Sequence, residues 1–189
     1  MQEGLLIVVS APSGCGKGTI LGQILKDEKY YYSVSATTRT PRKGEIDGVH
    51  YRFMRHEEFE TLIAENAFLE YASYCDNYYG TLEKPIDDAL TEGKHVILEI
   101  EVKGAMQIRE SRPDAKFIFI APPSLETVRQ RLILRGTESE DVIAKRVEQA
   151  AAELQCKNMY DYCIINDVLE DAIADFRSIV RAEELKINQ

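Results

Sequence analysis

No apolar stretch of the chain approaches the roughly 20 residues that a membrane-crossing helix needs. A bilayer-spanning role is therefore not expected. The residues before the first apolar run, Met1-Gln2-Glu3-Gly4, carry no basic cluster, so a secretory signal is not expected either. Four cysteines, Cys15, Cys75, Cys156 and Cys163, fall at spacings that fit neither a metal site nor a disulfide framework. A reduced, cytoplasmic setting follows as the expectation. Internal repeats and low-complexity tracts are lacking. Positive charge is scarce overall: the formal net charge is −9, which argues against a nucleic-acid polymer as partner.

What cationic charge there is lies in clusters. Between Thr37 and His56, five basic side chains (Arg39, Arg42, Lys43, Arg52, Arg55) stand against Glu45 and Asp47, a local excess of three. Arg129, Arg131 and Arg135 form a second group. Either group read alone fits a solvated charged face. Two arginine groups in an otherwise acidic chain also fit a clamp on polyphosphate.

The nine residues Ala11-Pro12-Ser13-Gly14-Cys15-Gly16-Lys17-Gly18-Thr19 follow the apolar run Leu5-Leu6-Ile7-Val8-Val9. The order strand, glycine-rich turn, lysine, helix builds a phosphate cradle. Glycines let successive backbone N–H groups face one anion. The helix that follows offers unpaired N–H groups and a positive dipole end. Lys17 supplies a mobile charge at the β/γ-phosphate position. A nucleoside triphosphate is the expected guest. The pattern GxxxxGK[ST] is met imperfectly, with Ala11 at the first glycine and Gly18 at the hydroxyl position. Mg²⁺ is then expected mainly on phosphate oxygens and water.

Apolar runs at 5–9, 95–100, 117–121 and 162–165 read as buried parallel strands. Helical patterns alternate with them. Leu125, Val128 and Leu132 share one face, as do Ile173, Phe176 and Val180. The segment 141–154 is a strong helix former, with Thr137-x-x-Glu140 as a capping box before it. The alternation predicts an α/β/α sandwich on a parallel sheet. Two excursions interrupt it. Residues 33–92 carry short strand-like pieces (33–37, 50–54, 68–74), helices near 57–65 and 83–91, and many tyrosines. Residues 124–150 are helical and rich in arginine.

Several ordered motifs resemble the guanylate kinase family. They are Ser33-Val34-Ser35-Ala36-Thr37-Thr38-Arg39-Thr40-Pro41-Arg42, Gly44-Glu45-x-x-Gly48-x-x-Tyr51, Phe68-Leu69-Glu70-Tyr71-Ala72 and Asn77-Tyr78-Tyr79-Gly80-Thr81. Ala121-Pro122-Pro123-Ser124, Arg135-Gly136-Thr137 and Ile165-Asn166-Asp167 continue the likeness, which runs from about residue 5 to about 184. The resemblance implies transfer of the γ-phosphoryl group of ATP to GMP with Mg²⁺. It implies a single domain: a phosphate-loop core (1–32, 93–123, 151–189), a GMP-binding insert (33–92) and a lid (about 124–150). Two departures stand out. The loop reads Gly-Lys-Gly-Thr, as in adenylate kinases, and Leu98-Glu99-Ile100-Glu101 replaces the family's usual aspartates.

The residue roles that the resemblance implies agree with their chemistry. Residues Ala11 to Thr19 hold the ATP phosphates, with Arg131 and Asn166 at the adenine. Arg39, Arg42, Tyr51 and Tyr79 hold the GMP phosphate. Glu70, Ser35, Thr81 and Glu101 meet guanine. The N1–H and N2–H₂ donors of guanine suit the Glu70 carboxylate, which would face a lone pair on adenine. Lys17, Arg39, Arg135 and Arg146 neutralise the transferring group, and Glu99 holds Mg²⁺ through water. Cys15 lies beside a lysine and a helix start, which favour thiolate. A tolerated small residue is the plainer reading. Either way, a group added to Cys15 is expected to fill the cradle and block ATP. A homo-oligomer is compatible with the sequence. Two other functions remain open at this point: a non-catalytic interaction module on the same fold, and a kinase for another nucleoside monophosphate.

Overall fold

The computed structural model describes residues 3–136 and 138–187. Five strands form a fully parallel sheet. In chain order they are β1 (Leu6–Ser10), β2 (Tyr30–Tyr32), β7 (His95–Glu99), β8 (Lys116–Ala121) and β9 (Tyr162–Ile165), placed β2-β7-β1-β8-β9. Parallel strands buried on both faces read as continuous apolar runs, and Leu6-Ile7-Val8-Val9 is such a run.

Alternate residues of β1 feed two cores. Leu6 and Val8 pack with Ile86, Leu90, Ala105 and Ile108 from α3 (Glu83–Thr91) and α4 (Val102–Ser111). Ile7 and Val9 pack with Ile20, Leu21, Ile24, Phe176 and Val180 from α1 (Lys17–Ile24) and α7 (Leu169–Glu184). The result is the expected three-layer α/β/α sandwich. The two clusters hold the sheet from opposite sides, each buried side chain contributing about 1.5–3 kcal/mol relative to exposure.

Between β2 and α3 the chain builds a second, mixed sheet with order β4-β3-β6-β5, from β3 (Ala36–Thr37), β4 (Arg52–Phe53), β5 (Phe68–Tyr74) and β6 (Asn77–Leu82). The helix α2 (His56–Ala64) covers it through Phe59, whose ring stacks on Phe68 and Tyr78 at 4.3 and 5.2 Å. Two further helices, α5 (Leu125–Arg135) and α6 (Glu140–Leu154), follow β8. Ser124 caps α5 by accepting from the Thr127 N–H, and Gly136 ends it in the left-handed conformation.

The expected face of α5 is met at Val128 and Leu132, which are buried, but Leu125 is exposed. Thr137 of the expected capping box lies outside the described residues. Ser139 takes the N-cap position of α6, with no side-chain cap bond. The sequence patterns did not predict β2, β6 or α4. The first is three residues long, the second is a tyrosine-bearing run with a glycine inside it, and the third carries Lys103, Gln107, Arg109 and Glu110 around a glycine.

Candidate active site

In an open parallel sheet, ligands gather beyond the carboxyl ends of the strands. The candidate residues follow that rule. After β1 comes the 11–19 loop; after β2, Ser35; after β7, Glu101; after β9, Asn166. Glu99 closes β7 itself.

The loop wraps a cleft of about 370 Å³ lined by Ala11 to Thr19 and Arg135. Gly14 and Gly16 hold φ of 81° and 82°, a region that other residues enter only with strain. Gly16 is also crowded: a Cβ there would collide with the Asn166 side chain. Gly16 caps α1 without a side-chain partner, and the first turn carries no acidic residue. The helix N-terminus therefore presents its amides to the cleft with no anion of its own.

Three side chains brace this loop. The Asn166 amide donates to the Cys15 carbonyl at 2.7 Å. Arg131 donates through Nη2 to the Asn166 carbonyl at 2.8 Å. Arg146 donates to Ser13 Oγ at 3.1 Å and pairs through Nη2 with Glu138 at 2.8 Å. The contact ties α6 to the loop, so Arg146 is not a bystander on a solvated helix face. A second cleft, also about 370 Å³, is lined by Gly16, Arg131, Leu134, Asn166 and Leu169. Leu134 is 85% exposed and gives this cleft an apolar wall suited to a flat base. Sequence reading missed Leu134 and Leu169, which look there like ordinary helix residues. Arg129 of the second arginine group turns away and pairs with Glu140.

Cys15 fits the plainer of its two readings, a small residue tolerated in the loop. It is 1% exposed, and burial pushes its thiol up to about 12, against the opposing pull of Arg131 and Lys17. Helix start and lysine do not produce a thiolate here, because desolvation of the charge is the larger effect.

Lys17 pairs with Glu99 at 3.4 Å, and Glu99 also accepts from the Tyr32 hydroxyl at 3.0 Å. Burial, then the Glu99 charge, raise the Tyr32 pKa. The ring of Tyr51 lies 6.1 Å from that of Tyr79 and 5.5 Å from the Arg39 guanidinium.

Arg39 is held in place by a residue that charge counting treated as a mere neighbour. Its Nη2 donates to both oxygens of Glu45 at 2.9 and 3.0 Å, and its Nη1 donates to the Thr40 carbonyl at 2.8 Å. Glu45 also accepts from the Arg42 backbone N–H at 2.6 Å. Hydrogen bonds from Arg39 and from the Arg42 backbone hold the Glu45 carboxyl below its ordinary range. The Arg42 side chain is exposed. One carboxylate thus ties the Arg39 guanidinium to the Arg42 backbone.

Glu70 on β5 is 8% exposed and accepts from Thr81 Oγ1 at 2.6 Å. Burial raises its pKa; the Thr81 hydrogen bond opposes this and the Glu101 charge adds to it. Thr81 has one hydroxyl proton. Given to Glu70 Oε1, that proton makes Thr81 an anchor for the carboxylate. Ser35 is half-buried beside β3, where its carbonyl accepts from the Arg52 N–H.

Among the described residues no group of three or more His, Cys, Asp or Glu side chains is arranged to hold a metal. The lone Glu99 beside Lys17 fits a Mg²⁺ carried chiefly by phosphate oxygens and water. No described helix is long and apolar enough to cross a membrane.

Comparison with known proteins agrees with this geometry. The guanylate kinase family model matches residues 3–183. The guanylate kinase of Carboxydothermus hydrogenoformans is 49% identical over 98% of this chain and 92% of its own length. That of Desulfitobacterium hafniense is 48% identical over 100% and 94%. The crystal structure of guanylate kinase from Anaplasma phagocytophilum superposes with a TM-score of 0.77 at 34% identity, covering 98% of this chain and 88% of that one. The chain belongs to the guanylate kinase family, enzymes that phosphorylate GMP to GDP at the expense of ATP.

Proposed function

We propose that ATP enters with its phosphates on the backbone amides of Ser13 to Thr19 and its adenine in the cleft walled by Arg131, Leu134, Asn166 and Leu169. GMP enters from the second sheet, its phosphate on Arg39, Arg42, Tyr51 and Tyr79 and its base on Glu70, Ser35, Thr81 and Glu101. Residues 33–92 act as the GMP-binding insert and residues about 124–150 as the lid. The two ligands meet where Lys17, Arg135 and Arg146 converge on the donor phosphates.

Phosphoryl transfer through a loose transition state asks the protein for alignment and charge neutralisation, not covalent chemistry. Two anionic nucleotides repel each other. Lys17, Arg135 and Arg146 offset the donor charge, and Arg39 and Arg42 the acceptor charge. Lys17 exchanges its Glu99 partner for phosphate as the donor binds. Mg²⁺ would supply further neutralisation of the donor phosphates, with Glu99 as its protein contact through water. Closure of the lid would exclude the water that otherwise competes as acceptor. The setting is cytoplasmic purine nucleotide metabolism, and a homo-oligomer is compatible with it.

The observation that carries this reading is the Lys17–Glu99 pair, which joins the 11–19 loop to the carboxyl end of β7, with Arg39 held by Glu45 beside β3 of the second sheet. An interaction module would not need the loop, Lys17 and the brace from Arg146. The test is ADP formation from ATP with GMP, AMP, UMP or dTMP supplied in turn. Turnover with GMP alone, or far above the others, is expected. Turnover with AMP and not GMP overturns the base assignment, and none with any acceptor overturns the catalytic reading.

A further inference from the structure

Gly104 stands in the first turn of α4, 34 positions after Glu70, and the fold brings the two together. Thr81 holds Glu70 Oε1. The other oxygen, Oε2, lies against Gly104. A Cβ on that glycine would stand 2.8 Å from Oε2, 3.2 Å from Cδ and 3.6 Å from Cγ. All three nearest atoms belong to Glu70.

Nothing else about the position calls for glycine. Its φ is not in the left-handed range. It lies inside a helix, where glycine costs about 1 kcal/mol relative to alanine. Gly80 makes the contrast. A Cβ there would meet the Glu70 carbonyl at 2.9 Å and the Phe59 and Phe68 rings at 3.0 Å, so that glycine serves the packing of the second sheet. At Gly104 the obstructed group is the free end of one flexible side chain. Alanine would be cheap for the fold, since Glu70 could swing aside, but the group that swings is the one aimed at the base.

The helix adds to the placement. N–H groups in a first helical turn lack intrahelical partners, and the positive end of the helix favours a carboxylate. No side chain caps α4. Glu70 therefore sits between a hydroxyl donor on β6 and the amino end of α4.

We propose that Gly104 is a positioning residue for guanine selectivity: the space left by its missing Cβ sets the direction in which Glu70 presents its carboxylate to N1–H and N2–H₂. The proposal rests on the reading that Glu70 takes the guanine edge, and the test separates the two. Steady-state kinetics are run with GMP and with inosine monophosphate, the same nucleotide without the 2-amino group.

Glu70→Gln comes first; an unchanged KM for GMP there overturns the guanine placement itself. With that placement standing, Gly104→Ala should raise the KM for GMP about ten-fold or more and lower the preference for GMP over inosine monophosphate, because a misaimed carboxylate leaves a donor unpaired. The KM for ATP should not move. An unchanged KM for GMP and an unchanged preference in Gly104→Ala, beside a defective Glu70→Gln, overturn the proposal. The double variant Gly104→Ala, Glu70→Asp withdraws the carboxylate by one methylene. Should Gly104→Ala alone fail to fold, the double variant is compared with Glu70→Asp alone. Equal KM values for GMP support the proposal, and a further ten-fold loss overturns it.

Discussion

The two ends of the proposed site are made from different materials. The donor end is one continuous stretch of backbone, residues 11–19, braced from outside by Asn166, Arg131 and Arg146. The proposed acceptor end is assembled from side chains on separate segments and includes two carboxylates: Glu45, which holds the Arg39 guanidinium and the Arg42 backbone, and Glu70, which is held by Thr81. The difference follows from what each end reads. Phosphates are alike, and amides at a helix start bind them without regard to the rest of the ligand. A base is read by its donors and acceptors, which only oriented side chains can match. Changes at the donor end should therefore cost rate with any acceptor, whereas changes at the acceptor end should cost recognition of GMP alone.

The largest expected effect is at Lys17. Lys17→Ala should lower turnover on the order of 10³-fold, as loss of a phosphate-facing cation does in such reactions, while GMP affinity by calorimetry stays unchanged. Lost GMP affinity in this variant would blur the division between the ends. Arg146→Ala comes next. It removes the Ser13 contact, and kcat should fall by about 10²-fold or more with the KM for GMP unmoved.

Glu70→Gln should raise the KM for GMP roughly 10²-fold and leave that for ATP alone. Its pH dependence sharpens the point. Burial raises the Glu70 pKa. The charged form is the one that accepts from guanine, so GMP affinity should decline as pH falls through the raised value, earlier than for an ordinary glutamate. Stability runs the other way. A carboxyl group with a raised folded pKa contributes most below its unfolded pKa, and that contribution is lost as pH rises through the folded value. Glu70→Gln should thus unfold at a higher temperature than the parent at neutral pH, despite binding GMP worse. An equal or lower midpoint would mean that burial of the charge is offset elsewhere.

Glu45→Gln should raise the KM for GMP about ten-fold, because a neutral amide holds the Arg39 guanidinium less firmly. A lowered KM would instead identify Glu45 as a competitor of the phosphate. The smallest effect concerns Cys15. Thiol reagents at neutral pH should label the exposed Cys75 first and leave Cys15 nearly untouched, with or without ATP. Rapid, ATP-protected labelling of Cys15 would contradict its burial.

The same contrast explains what could be read from sequence. The donor loop was legible because its parts are contiguous and its context, strand before and helix after, is local. The parallel sheet was legible wherever a strand was a long apolar run. Glu45 was not, because its role depends on how residues 42–48 turn back on Arg39, and in a charge count it is only a neighbour. The tie from Thr81 to Glu70 was not legible either, because it forms only when β5 pairs with β6. Gly104 was invisible because its partner lies 34 positions away and meets it only through the docking of α4 on β5. At Cys15 two readings stayed open because the neighbours that favour thiolate are visible in sequence, whereas the burial that outweighs them is not.

The most direct test is a crystal structure with adenosine and guanosine joined through a polyphosphate bridge. The bridge should run from the amides of Gly14 to Thr19, past Lys17, to Arg39 and Arg42, with the guanine edge on Glu70. A bridge bound elsewhere, with Lys17 still on Glu99 and Glu70 touching only Thr81, would contradict the account.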